Sequence, residues 1–219
     1  MTTENNNENK ELDKTIESLC DSLKPVKRTC PTRNGLLWIV LAICYMVAVA
    51  TTIGFRHNIM ESMNEQEYVF EIMLAFAIAI SASLMTFWLS IPDCEKYKKF
   101  MAVPLTLLAV QIVWMLERMY FEGLGDIRDN WLSHCWMNTI LHTTIPALAV
   151  IILVRRCGAS VMPQWMATYA LIAVAEFGWI GMRLICPKNN VGEAFIINFL
   201  PYVILGAALG FVAKRIFKW

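Results

Sequence analysis

Six apolar runs, each about the 20 residues that a helix needs to cross a hydrocarbon core, constrain this chain more than any other feature. They cover 36–54, 68–89, 100–116, 135–154, 166–184 and 195–213. Inside a bilayer every backbone N–H and C=O must be satisfied within the protein. Only helices and closed barrels achieve that, and barrel strands would be about ten residues long with alternating polarity. The fold class expected is therefore all-α: a polytopic membrane protein of six transmembrane helices with a short cytoplasmic N-terminal amphipathic helix. Composition agrees, since 57% of the 219 residues are hydrophobic, 17% are charged and mean hydropathy is +0.49. A soluble domain carries about 25% charged residues. The net charge of +1 gives no basic surface for direct nucleic-acid binding.

Lysine and arginine set the orientation. With the N-terminus inside, the inner segments hold Lys24, Lys27, Arg28, Arg33, Lys96, Lys98, Lys99, Arg155, Arg156, Lys214, Arg215 and Lys218. The outer segments hold Arg56, Arg118, Arg128, Arg183 and Lys188. This bias predicts cytoplasmic N- and C-termini. A signal peptide competes for the first run, and Ala48-Val49-Ala50 imitates a cleavage site. The long polar leader ahead of the run argues for an uncleaved span.

The chain divides into a cytoplasmic tail, 1–34, and a six-helix membrane domain, 35–219. Residues 1–9 are Asn- and Glu-rich and carry too little apolar surface to bury. Then Leu12, Ile16, Leu19 and Leu23 fall at helical spacing, and Lys24-Pro25-Val26 ends the pattern. A helix this short is marginal alone in water, so the stripe needs a partner. It can lie on the inner leaflet, pack on the cytoplasmic loops or enter the groove of a soluble protein. Its acidic flank of Glu11, Asp13, Glu17 and Asp21 disfavours an anionic leaflet and favours a protein partner.

Ionisable groups within the runs are costly and mark function or tight pairing. Glu71, near an outer end, is expected to reach water. His142 and Glu176 lie at depths differing by roughly 5 Å at 1.5 Å per residue, so a hydrogen bond between them is expected. A polar clamp between helices is the simpler use of that pair, and proton transport the bolder one. Gly206 and Gly210 permit close helix approach and a homodimer, and Ala75, Ala79 and Ser83 form a small-residue face on the second run.

Topology sorts the seven cysteines. Cys20, Cys30, Cys94 and Cys157 fall inside, and Cys44 reads as a mid-membrane filler. Cys135 and Cys186 fall at the outer ends of the fourth and fifth runs, near His134. Thiolate and imidazole suit soft or heavy metal cations. A metal or oxidant sensor, a structural disulfide and inert thiols all remain open for the two outer cysteines. No cofactor is required. No metalloprotease, nucleophile-elbow, P-loop or dinucleotide motif occurs, so an enzyme is not expected.

Three segments resemble the NrsF-type membrane anti-sigma factors, negative regulators of sigma-F-like extracytoplasmic-function (ECF) sigma factors. Thr15 to Arg28 is similar to the family's acidic-apolar opening with its Pro-Val step. Trp131-Leu132-Ser133-His134-Cys135-Trp136 resembles the segment carrying its first outer cysteine. Leu184-Ile185-Cys186-Pro187 is similar to its Cys-Pro step, and Gly206 to Gly210 with Lys218-Trp219 to its last span. Ser22 departs from the acidic residue that often precedes the leucine of the Pro-Val step. The resemblance implies an inner-membrane protein whose tail holds an ECF sigma factor away from RNA polymerase. It also implies that the outer cysteines sense heavy-metal or oxidative stress. Leu12, Ile16, Leu19, Leu23, Lys24, Pro25 and Val26 are the sigma-contact candidates on that reading. Cys135, Cys186 and His134 are the sensing candidates, and His142 and Glu176 the coupling candidates. The rival reading is a small transporter or metal-efflux protein using the intramembrane Glu and His residues.

Overall fold

The computed structural model describes residues 14–18, 30–91, 94–123, 135–157, 160–186, 191–199 and 202. They are helical wherever they are regular, and no strand occurs among them. Five helices are long and apolar enough to cross a membrane. They are α1 (Pro31–Ile53), α2 (Gln66–Trp88), α3 (Ala102–Glu122), α4 (Cys135–Cys157) and α5 (Pro163–Ile185). The expected sixth run is described only over 195–199, a π-helical turn, and at Tyr202. Gly206 and Gly210 lie outside the described residues. So do Leu12, Leu19, Leu23, Lys24, Pro25, Val26 and His134. Residues 14–18 are helical, and Ile16 within them is exposed.

Most of the helices outrun their apolar stretches, because backbone hydrogen bonding continues past the hydrocarbon edge. Proline opens α1 and α5 in the first turn, where its missing N–H costs nothing. Gly54 and Gly123 close α1 and α3 with φ of +102° and +76°, a backbone that residues with a Cβ rarely adopt. A 3-10 turn, Cys94–Met101, leads into α3 and bears Lys98 and Lys99.

The helix most enclosed by its neighbours is α5, and α3 is the least enclosed. Its most extensive partner is α2, followed by α4. Tyr68, at the start of α2, meets Arg183, at the end of α5. Leu89, past the end of α2, accepts a hydrogen bond of 2.6 Å from Ser160, just ahead of α5. The two helices are thus antiparallel along their whole length. The small-residue face of α2 is fully buried at Ala75, Ala79, Ala82 and Ser83. Between apolar helices in lipid, close van der Waals approach of this kind drives packing. Trp38 and Phe177 meet edge to face at 5.5 Å in the larger core cluster. Leu37, Val40 and Leu41 on α1, Val110 and Val113 on α3 and Leu148 and Ile152 on α4 point outward.

A buried polar network as the candidate functional site

Apolar helices that face lipid carry few polar groups, so the enclosed ones locate the site. Glu71 is 2% exposed and Arg183 5%, and they face each other between α2 and α5. Arg183 Nη2 donates to Glu71 Oε2 at 3.0 Å, and its Nε lies 2.7 Å from Oε1. Trp179, one helical turn earlier, donates its indole N–H to Glu71 Oε1 at 2.9 Å. The expectation that Glu71 reaches water is corrected: its carboxylate is spent on an internal cation and an indole. Arg183, counted from the sequence as an outer-loop charge, is that cation. Its position at the last turn of α5 hid it, since hydropathy alone cannot tell a rim charge from a buried one.

Tyr68, one turn ahead of Glu71, extends the network. Its hydroxyl donates to Arg183 O at 3.0 Å, and its ring lies under two guanidinium groups, Arg183 at 5.2 Å and Arg56 at 5.4 Å. Arg56 comes from the α1–α2 connection, donates to Asn58 Oδ1 at 2.9 Å and bonds Ser62 Oγ. Its backbone N–H donates to Leu184 O at 3.1 Å. Three segments are thereby stitched together at one end of the bundle. The same end carries the first residue of α4, Cys135, and the residue after α5, Cys186. Cys186 is half-buried, and its N–H still donates to Met182 O at 2.8 Å.

The expected His142–Glu176 bond does not form. Glu176, fully buried, accepts from Gln111 Nε2 of α3 at 3.0 Å. His142 Nδ1 lies 2.8 Å from Asn138 O within α4, and its ring packs on Gly181 of α5. Glu176 and Gly181 are five residues apart, about 140° around the helix at 3.6 residues per turn. His142 packs level with Gly181, about 7.5 Å along α5 from Glu176, and the two groups face different neighbours. His142 Nε2 and the second oxygen of Glu176 find no protein partner among the described residues. Glycine permits this close α4–α5 contact, since a Cβ at Gly181 would collide with the His142 ring and one at Gly178 with Thr143 Cγ2. Thr143 in turn bonds the Tyr202 hydroxyl at 2.5 Å. Pro146 removes the N–H that would bond the His142 carbonyl, which loosens α4 at this turn.

No group of three His, Cys, Asp or Glu residues among the described residues could hold a metal ion. Cys30 and Cys44 are exposed, and Cys135 is the first residue of α4. The polar groups are also dispersed. Glu71, Glu176 and His142 each have a different partner, on α5, on α3 and within α4.

The family profile described as negative regulator of sigma F, NrsF, matches residues 19–219. The chain belongs to the NrsF family. No curated relative and no solved structure matches it. Membership in the NrsF family implies a negative regulator with a sigma factor as partner, and a regulatory rather than catalytic role. Five apolar spanning helices make this NrsF chain a membrane protein. The match begins at Leu19, inside the stripe read as a partner contact, and takes in Cys135, Cys186 and the whole Glu71–Arg183 network.

Proposed function

We propose that the chain is an inner-membrane anti-sigma factor that holds an ECF sigma factor through its cytoplasmic N-terminal tail and frees it under heavy-metal or oxidative stress. The observation that carries this reading is the conjunction of a negative regulator of sigma F with a bundle of membrane-spanning helices. A regulator of a soluble sigma factor that is itself embedded in lipid acts by location: it keeps its partner from RNA polymerase. Leu12, Ile16, Leu19 and Leu23, with Lys24, Pro25 and Val26, form the contact surface, because an apolar stripe with acidic flanks suits a protein groove. Cys135 and Cys186, with His134 nearby in sequence, receive the signal as soft-metal ligands or oxidisable thiols. A ligand moves such an equilibrium only by binding one state better than the other, so metal or oxidant must favour the state whose tail binds sigma less well.

Purification from native cells by a C-terminal tag in mild detergent tests the reading. A sigma factor is expected with the full chain and not with a chain lacking residues 1–30. Absence of any sigma factor from the full chain in unstressed cells contradicts it.

A further inference from the structure

The last four carbonyls of a helix have no intrahelical donor. At the end of α5 two of these acceptors are met from elsewhere in the bundle. Tyr68 of α2 donates its hydroxyl to Arg183 O at 3.0 Å, and Arg56 of the α1–α2 connection donates its N–H to Leu184 O at 3.1 Å. The Arg183 side chain is fixed as well, by two contacts to Glu71 at 3.0 and 2.7 Å. Helical hydrogen bonding in α5 ends at Cys186, whose N–H reaches back to Met182 O. The end of α5 that leads into Cys186 is therefore held by bonds that cross to α2 and its leading loop.

The far end of α2 touches the segment into which the tail leads. From Glu71 to Trp88 the helix is unbroken, about 25 Å at 1.5 Å per residue. Trp88 Nε1 donates to Thr32 Oγ1 at 3.0 Å, and Thr32 is the second residue of α1. Trp88 also stacks on Tyr97 at 4.6 Å. A path thus runs from Cys186, three residues past Arg183 at the end of α5, through the Arg183–Glu71 pair and along α2 to Thr32 at the root of the tail. Such a path carries coupling only through an element with two arrangements, and the buried ion pair, made or broken, supplies them.

We infer that Glu71 and Arg183, supported by Tyr68, are positioning residues that hold Cys186 and transmit its displacement along α2 to Thr32 and the tail. The inference rests on the anti-sigma reading and on Cys186 as a sensing residue. In the resting chain the pair is closed and sigma is held. Metal or oxidant at Cys186 opens the pair, lets α2 shift against α5 and releases the tail.

The experiment labels intact cells with a membrane-impermeant maleimide and quantifies the peptide carrying Cys186 by mass spectrometry. A sigma-dependent reporter is read in the same cells. Glu71→Gln is expected to raise the labelling rate about tenfold or more, because removing one partner of a buried ion pair strands the other. The reporter is expected to turn on without stress. Exchange of the charges, Glu71→Arg with Arg183→Glu, is expected to bring both readouts back to within about threefold of the native chain. Trp88→Phe is expected to leave labelling unchanged and blunt induction by stress. Labelling of Glu71→Gln within twofold of the native chain, at equal membrane abundance, overturns the inference. So does a large rise in labelling with the reporter still off. If Glu71→Gln fails to accumulate, Tyr68→Phe removes only one bond and is expected to raise labelling about threefold. No rise with Tyr68→Phe then overturns the inference. Failure of the anti-sigma reading is distinct: no sigma factor co-purifies with the native chain, whatever the labelling shows.

Discussion

Two buried carboxylates in one bundle have opposite surroundings. Glu71, at the end of the bundle where α2 begins and α5 ends, meets a guanidinium and an indole N–H. Glu176, deep in α5, accepts from the amide of Gln111 and has one oxygen without a protein partner among the described residues. The first is a charged lock between α2 and α5, and the second a light polar contact between α5 and α3. Both are enclosed to 2% exposure or less, so burial alone does not separate them; the partner does. Loss of a partner is severe where the group left behind is charged and mild where it is an amide.

Glu71→Gln should have the largest effect, about 3–5 kcal/mol, since it leaves the Arg183 guanidinium buried without its counter-charge. Thermal unfolding in detergent would measure it. Replacing Glu71 and Arg183 together by methionine should recover most of that loss, as apolar substitutes for buried pairs commonly do. Next is Gly181→Val, which drives a branched side chain into the His142 ring and should cost about 1–3 kcal/mol by overpacking. It tests whether the α4–α5 contact matters as much as the lock between α2 and α5. Tyr68→Phe deletes one hydrogen bond to Arg183 O and should cost about 0.5–1.5 kcal/mol. Glu176→Gln keeps an acceptor for Gln111 and should cost less than about 1 kcal/mol while regulation persists. A transporter that relies on Glu176 would instead lose its function entirely, and a reporter assay with this variant separates the two. The smallest change is expected from Arg118→Ala. Arg118 pairs with Glu67 and Glu122 at a partly exposed site, where such pairs are worth about 0–1 kcal/mol.

The helical class and five of the six runs were legible from apolar length alone, because the bilayer fixes how long a helix must be. The small-residue face on α2 was also legible, as spacing of four residues places Ala75, Ala79 and Ser83 on one side. The partners of the polar residues were not. His142 packs on Gly181, about 140° around α5 from Glu176, and a depth count carries no azimuth. Arg183 was missed because a cation at a helix end normally snorkels to water. One signal was available: Tyr68 and Glu71 share a face of α2, and Trp179 and Arg183 share a face of α5, at three- and four-residue spacings. Two such faces at the same depth on antiparallel neighbours mark a pairing surface. The resemblance to the family was read from short motifs such as Cys186-Pro187 and Gly206 to Gly210, and the family match spans residues 19–219.

The account stands on where the sigma factor resides. Fractionation of cells into membrane and cytosol, with the sigma factor followed by immunoblot, measures this directly. With the native chain and no stress, the sigma factor should sediment with the membrane. It should move to the cytosol when residues 1–30 are deleted, and also when a soft metal or oxidant reaches a chain that retains Cys135 and Cys186. A sigma factor that stays cytosolic in unstressed cells carrying the native chain would contradict the account.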